Sequence, residues 1–173
     1  MSIAGETEKL QRCVSGALAR FAREPGPLLE ILHAVQDELG CVPADAVPLI
    51  ADGLNISRAE VHGVVSFYHH FREQAPGRYL VQLCRAEACQ SMNARALEEF
   101  VRARLRIGFG ETTTDGRVTL EAVYCLGNCA CAPAMMVNGE LHGRVTPERV
   151  GELAREWGAV SYTHLTLPTI LRV

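Results

Sequence analysis

The sequence predicts an α+β protein in two parts, an N-terminal four-helix bundle over residues 1–75 and a small sheet domain with packed helices over residues 76–160. Three observations carry this. Apolar residues recur at helical spacing through the first half, the period changes after Ala75-Pro76-Gly77, and strand-like runs punctuated by turn signals fill the second half. With 173 residues, 48% apolar and 21% charged, the chain has ordinary globular composition and can bury a core.

The first helix is read from Leu10, Val14, Leu18 and Phe21, which fall on one stripe with Cys13 at its edge. After the break Pro25-Gly26-Pro27, the residues Leu28, Ile31, Leu32, Val35 and Leu39 repeat the stripe. Pro27 suits a first helical position there and Gly40 a stop. A third, shorter helix would carry Val47, Ile50 and Leu54. Ser57-Arg58-Ala59-Glu60 has the capping-box pattern in front of Val61, Val64, Val65, Tyr68 and Phe71, so four helices should fill residues 7 to 72.

In the second half, residues 79–83 read as a strand, and Ala94, Leu97, Phe100, Val101 and Leu105 as a helix. Asp115-Gly116 turns the chain into a second strand over residues 118–124. Asn138-Gly139 is a strong hairpin signal between residues 134–137 and 140–145. Thr146-Pro147-Glu148 opens a last helix with Val150, Leu153 and Trp157 inward, giving the order βαβββα. Residues 161–173 carry neither period, and a tail outside the fold, disordered or non-native, is expected there.

Several function classes drop out. Lys and Arg total 17 against 20 for Asp and Glu, and a net charge of −3 is too near neutral for a protein that neutralises phosphates, so no nucleic-acid partner is expected. No stretch approaches the roughly 18 apolar residues of a membrane helix. The first ten residues carry Glu6 and Glu8 ahead of any apolar run, unlike a signal peptide. The expectation is a soluble, cytoplasmic protein with no membrane partner. Neither a G-x-G-x-x-G nor a P-loop occurs, no Ser-His-Asp set or carboxylate pair suggests itself, and no C-x-x-C opens a helix, so no substrate-turnover site is expected.

Seven cysteines, an odd number, argue for metal ligation or thiol chemistry rather than a disulfide framework. Cys84 and Cys89 follow the first strand of the sheet domain, and Cys125 and Cys129 follow the second. If those strands are neighbours, both loops lie at one edge and four sulfurs can converge. Gly127 and Asn128 permit the left-handed backbone of a tight loop whose amides point at sulfur. Soft thiolates select a structural zinc ion or an iron-sulfur cluster. Zinc loops commonly have two residues between paired cysteines, while the gaps here are four and three, which favours a [2Fe-2S] cluster over zinc and leaves both in play.

The residues Gly40-Cys41-Val42-Pro43, Glu60 to Tyr68, the pair Cys84 and Cys89, and Cys125-Leu126-Gly127-Asn128-Cys129 followed by Ala132-Pro133 carry a resemblance. From about Pro27 to Trp157 the chain resembles the [2Fe-2S] subunit of the NADH-dehydrogenase 24 kDa family, which implies a helical bundle followed by a thioredoxin-like ferredoxin domain. Residues 27–36, 57–63 and 84–90 most resemble the gamma subunits of soluble, NAD-dependent, molybdenum-containing formate dehydrogenases. The same module occurs in respiratory complex I and in NAD(P)-reducing hydrogenases. The resemblance implies one [2Fe-2S] cluster bound by Cys84, Cys89, Cys125 and Cys129. It also implies two partners: an NAD-binding subunit with FMN and iron-sulfur clusters, and a molybdopterin subunit that oxidises formate. Cys131 departs from the family pattern and reads as a free thiol, as do Cys13 and Cys41.

Other conspicuous residues have plainer readings. His69 and His70 would point to different faces of a helix and cannot share one ion, and the aromatics around them read as bundle core. Of Met135 and Met136, strand alternation sends one into the core. Glu98, Glu99, Arg102, Arg104 and Arg106 read as a solvated helix face.

Overall fold

A computed structural model of the protein describes residues 3–157. The tail expected over residues 161–173 lies outside the described residues. Between Pro76 and Gly77 the chain divides into two compact units.

The first unit holds α1 (Ile3–Phe21), α2 (Leu28–Leu39), α3 (Ala46–Leu54) and α4 (Arg58–Phe67). Their apolar stripes meet in one core in which Val14, Ile31, Leu32, Val35, Ile50 and Val61 are fully buried, with Leu10, Leu18 and Phe21 packed around it. The helix ends follow the sequence signals. Gly40 takes the left-handed conformation (φ 81°) after α2, and its N–H donates to Gln36 O at 2.7 Å. At the start of α4 the capping box is complete: Glu60 N–H donates to Ser57 Oγ at 3.2 Å, and Ser57 N–H donates to Glu60 Oε2 at 2.8 Å.

One expectation fails here. Helix α4 stops at Phe67, and Tyr68 turns extended, so His69 and His70 do not lie on a helix. The buried side chain of Gln36 supplies the reason. Its Nε2 donates to His70 O at 2.9 Å and its Oε1 accepts from Arg72 N–H at 2.8 Å. Val42 N–H then donates to Arg72 O at 2.7 Å. Residues 70–72 thus exchange helical hydrogen bonds for a strap across α2, which still buries Phe71.

The second unit runs β1 (Tyr79–Cys84), α5 (Glu87–Ser91), α6 (Ala94–Leu105), β2 (Glu111–Thr112), β3 (Val118–Val123), a single 3₁₀ turn (Cys129–Cys131), β4 (Met135–Val137), β5 (Glu140–His142) and α7 (Pro147–Glu156). Its sheet has the order β2-β3-β1-β4-β5, with β1 and β3 parallel and the other neighbours antiparallel. Val81, Leu83, Val118, Leu120 and Met135 of the sheet pack against Leu97 and Val101 of α6 and Val150, Leu153 and Trp157 at the C-terminal helix. The pleat buries Met135 and leaves Met136 half-buried, as alternation requires. Thr146 caps α7, accepting from Arg149 N–H at 3.3 Å. The second hairpin strand ends at His142, short of the expected residue 145. Two short elements, α5 and β2, were not foreseen. Glu98 is also corrected: it is buried rather than solvated and sits 3.0 Å from Arg85 Nε.

Candidate metal centre

Strand β1 delivers the first thiol pair. At its end, Cys84 N–H donates to Ala134 O at 3.1 Å on one side, and Arg85 N–H donates to Val123 O at 2.7 Å on the other. Cys84 is therefore held by both neighbouring strands. The chain then makes the short helix α5, which carries Cys89. Cys84 and Cys89 are 4% and 2% exposed. Ala94, Ala132 and Ala134 pack round these two sulfurs, with Ala86, Val123 and Leu126 outside them. Small side chains here leave room beside the sulfurs while keeping the surroundings apolar.

Strand β3 delivers the second pair at the same end of the sheet, because Cys84 stands level with Val123 in the parallel ladder. Two residues further on, Cys125 adopts a positive φ of 130°. Gly127 takes the left-handed region (φ 74°) and its N–H donates to Cys125 Sγ at 3.4 Å. Asn128 does not share that conformation, its φ being −111°; the second positive φ of the turn falls on Cys125 instead. Cys129 opens the 3₁₀ turn, and its Sγ lies 3.9 Å from Cys125 Sγ. Both of these thiols are exposed.

The four cysteines singled out from the sequence stand as two pairs at the same end of the sheet. The Cys89 thiol is hydrogen-bonded to Cys84 and feels Cys129, while the Cys129 thiol is hydrogen-bonded to Cys125 and feels Cys84. Burial pushes the Cys89 thiol above its ordinary pKa, with the Cys84 hydrogen bond adding to it and the Ala134 N–H pulling the other way. Cys129 is pushed up chiefly by its hydrogen bond with Cys125. Crowded thiols resist ionising together, and a bound cation removes that penalty.

The residues fit a two-iron centre. Two thiolates on one tetrahedral ion, each about 2.3 Å from the metal, stand about 3.8 Å apart, and Cys125 and Cys129 are separated by 3.9 Å. Among the described residues no three or more His, Cys, Asp or Glu side chains gather round a single point; the thiols come as two pairs. Two irons with two thiolates each use such a set.

Behind the second loop runs the connection from β5 to α7. Arg144 N–H donates to Cys131 O at 2.6 Å. A side chain at Gly143 would stand 2.7 Å from both Cys131 Cβ and Asn128 Nδ2, so only glycine fits against that turn. Cys131 is half-buried at the far end of the 3₁₀ turn. Cys13 and Cys41 are buried in the helical unit. The Ala134 amide facing Cys89 was not found from the sequence, since a backbone donor on a neighbouring strand leaves no residue-type signal.

Fold and thiols together define a small mixed sheet covered by helices with two cysteine pairs at one end. The family model for the thioredoxin-like [2Fe-2S] ferredoxins matches residues 14–158. The chain belongs to that family, and its cofactor is a [2Fe-2S] cluster. It is 39% identical over 125 residues to a subunit of the NADH-quinone oxidoreductase of Pseudomonas aeruginosa, covering 72% of this chain and 75% of the relative. It is 32% identical over 150 residues to the HndA subunit of the NADP-reducing hydrogenase of Solidesulfovibrio fructosivorans, covering 87% and 88%. Among solved structures, the crystal structure of an NAD+-reducing [NiFe]-hydrogenase in the air-oxidized state aligns with a TM-score of 0.68 at 27% identity. That alignment covers 82% of this chain but 24% of the hydrogenase chain, of which this protein spans about a quarter. No helix among the described residues is long and apolar enough to cross a membrane.

Proposed function

We propose that the chain is the [2Fe-2S] electron-transfer subunit of a cytoplasmic, NAD-dependent formate dehydrogenase complex, with Cys84, Cys89, Cys125 and Cys129 as the cluster ligands. One observation carries the ligand set: two thiol pairs stand at the same end of adjacent parallel strands, within reach of one another. Cys84 and Cys89 would hold one iron and Cys125 and Cys129 the other. The chemistry such a group supplies is the uptake and release of one electron at a time. The chain's own work is to bind and shield it. The alanine wall keeps water from the Cys84 and Cys89 sulfurs, and the N–H groups of Gly127 and Ala134 donate to sulfur, which favours the added negative charge.

The parent complex is supported by the likeness of residues 27–36, 57–63 and 84–90 to the gamma subunits of soluble formate dehydrogenases. Its partners would be an FMN- and iron-sulfur-containing NAD-binding subunit and a molybdopterin subunit. A second reading has its own support: the 39% and 32% identities favour the equivalent subunit of an NADH-quinone oxidoreductase or of an NAD(P)-reducing hydrogenase. In either complex residues 76–160 would carry the cluster, and residues 1–75 would dock on the flavin subunit.

Iron and acid-labile sulfide analysis of anaerobically purified protein, with EPR after dithionite reduction, tests the ligand set. Two irons, two sulfides and a signal lost in Cys125→Ser are expected; stoichiometric zinc without iron would sink the reading. Affinity purification from the native cell tests the parent complex. Co-purification of formate-oxidising activity is expected, and hydrogenase or quinone-reducing subunits in its place would select the second reading. Removal of residues 1–75 should abolish assembly while the cluster still forms.

A further inference from the structure

Arg85 is joined through its backbone to both strands that lead into the thiol loops. It follows Cys84 directly, and its N–H donates to Val123 O, two residues ahead of Cys125. Strand alternation sends its side chain to the face shared by Val81 and Leu83, against α6 and away from the Cys84 thiol. There its Nε is buried 3.0 Å from Glu98 Oε2 but off the line of the N–H, so the contact is an ion pair rather than a directed hydrogen bond. Arg102 Nη1 approaches Glu98 Oε1 at 3.8 Å. Both guanidinium groups lie over the Phe109 ring, at 5.1 and 6.0 Å from its centroid.

As a device for stability this arrangement is poor. Glu98 has a side chain only 12% exposed, and taking a carboxylate out of water costs about what its pairing returns, where an apolar residue would pack without that cost. Its charges have a clearer use. Two arginines against one glutamate leave net positive charge, partly shielded from solvent, on the residue that follows Cys84 and on the face of α6 that it meets. Positive charge held there favours the more negative, reduced state of a group bound by the Cys84 loop, and negative charge disfavours it.

We propose that Arg85 sets the reduction potential of the bound cluster, raising it, and that Glu98 holds Arg85 in place and trims its effect. This rests on the ligand set proposed above. One electron, taken from a donor such as dithionite, adds one unit of negative charge to the centre, and the Arg85 guanidinium stabilises that charge through the strand. Arg102, with a side chain 50% exposed against 37% for Arg85, contributes less because solvent and salt screen it more.

A structural clamp and a charge effect predict different signs. The test is an EPR-monitored redox titration of the full-length, anaerobically purified protein as wild type, Arg85→Gln, Glu98→Gln and Arg85→Lys, with iron and sulfide measured for each. A lower potential in Arg85→Gln, a higher one in Glu98→Gln and a near-native one in Arg85→Lys are expected, all with full iron and sulfide. Shifts of the same sign in the two neutralising variants, no shift in either, or loss of iron from both would overturn the proposal. Wild-type protein without iron or sulfide would overturn the ligand set itself, and that outcome is read from the wild type alone.

Discussion

The two thiol loops, the proposed ligands of one cluster, are built by different means. Cys84 and Cys89 are buried among alanines, fixed by strand ladders on both sides and by α5. Cys125 and Cys129 stand in solvent on a turn shaped by backbone dihedrals at Cys125 and Gly127. The first pair is thus part of a hydrophobic cluster, and the second is positioned by local hydrogen bonds and by the segment behind it. A thiolate ligand needs only to be held. Burial and turn geometry are alternative ways to hold it, and they fail differently.

Serine substitution should separate them most. Cys84→Ser and Cys125→Ser are both expected to lose most of their iron, since each removes one of the four proposed ligands. After demetallation they should differ: a hydroxyl in the alanine pocket of Cys84 costs about 1–3 kcal/mol, whereas the exposed Cys125→Ser should stay within about 0.5 kcal/mol of wild type. Urea unfolding of the two apoproteins checks this, and equal midpoints would erase the distinction between the loops.

Gly127→Ala probes the second loop alone. A Cβ there would meet nothing within 4 Å, so the cost is that of the left-handed backbone itself, about 1–2 kcal/mol. The expected result is a modest fall in melting temperature with a clearly faster loss of iron to a chelator, while α5 and the first pair are untouched. Unchanged iron retention would mean that the connection behind Cys131 holds the loop without help from Gly127.

The pH dependence offers the smallest and cleanest contrast, between ligand thiols and a buried one elsewhere. Because the Cys89 and Cys129 thiols are held protonated above their ordinary range, iron binding must expel their protons, and iron affinity should fall as pH is lowered. Cys13 in the helical unit behaves otherwise. Burial, then a hydrogen bond with Glu38, pushes it up to about 11. Between its ordinary value of 9.0 and about 11 the folded chain binds more protons than the unfolded one, so stability is whole below that window and lost as pH rises through it. Urea midpoints of the apoprotein measured across that range should decline, and Cys13→Ala should flatten the decline.

Long periodic elements were legible in the sequence. The stripes of α1 and α2, the capping box at Ser57 and the Asn138-Gly139 hairpin each act through neighbours in the chain, so their signals are local. The thiol pairs were legible for the same reason: spacing names the loops. The rest is non-local. Helix α5 has five residues and β2 has two, too few to show any period. The end of α4 is decided by Gln36 on another helix. The burial of Glu98 is decided by Arg85, and a helix carrying Glu98, Glu99, Arg102 and Arg104 gives no sign that one of its carboxylates turns inward.

The parallel pairing of β1 with β3 orders events during biogenesis. The residues between these strands must wind through α5, α6 and β2 before Val118 can reach Tyr79, and such non-local pairing forms late. On the ribosome Cys84 and Cys89 emerge well before Cys125 and Cys129, and until the crossover closes they are a lone pair of thiols. Cys84 and Cys89 therefore meet Cys125 and Cys129 at one end of the sheet only once that crossover has closed.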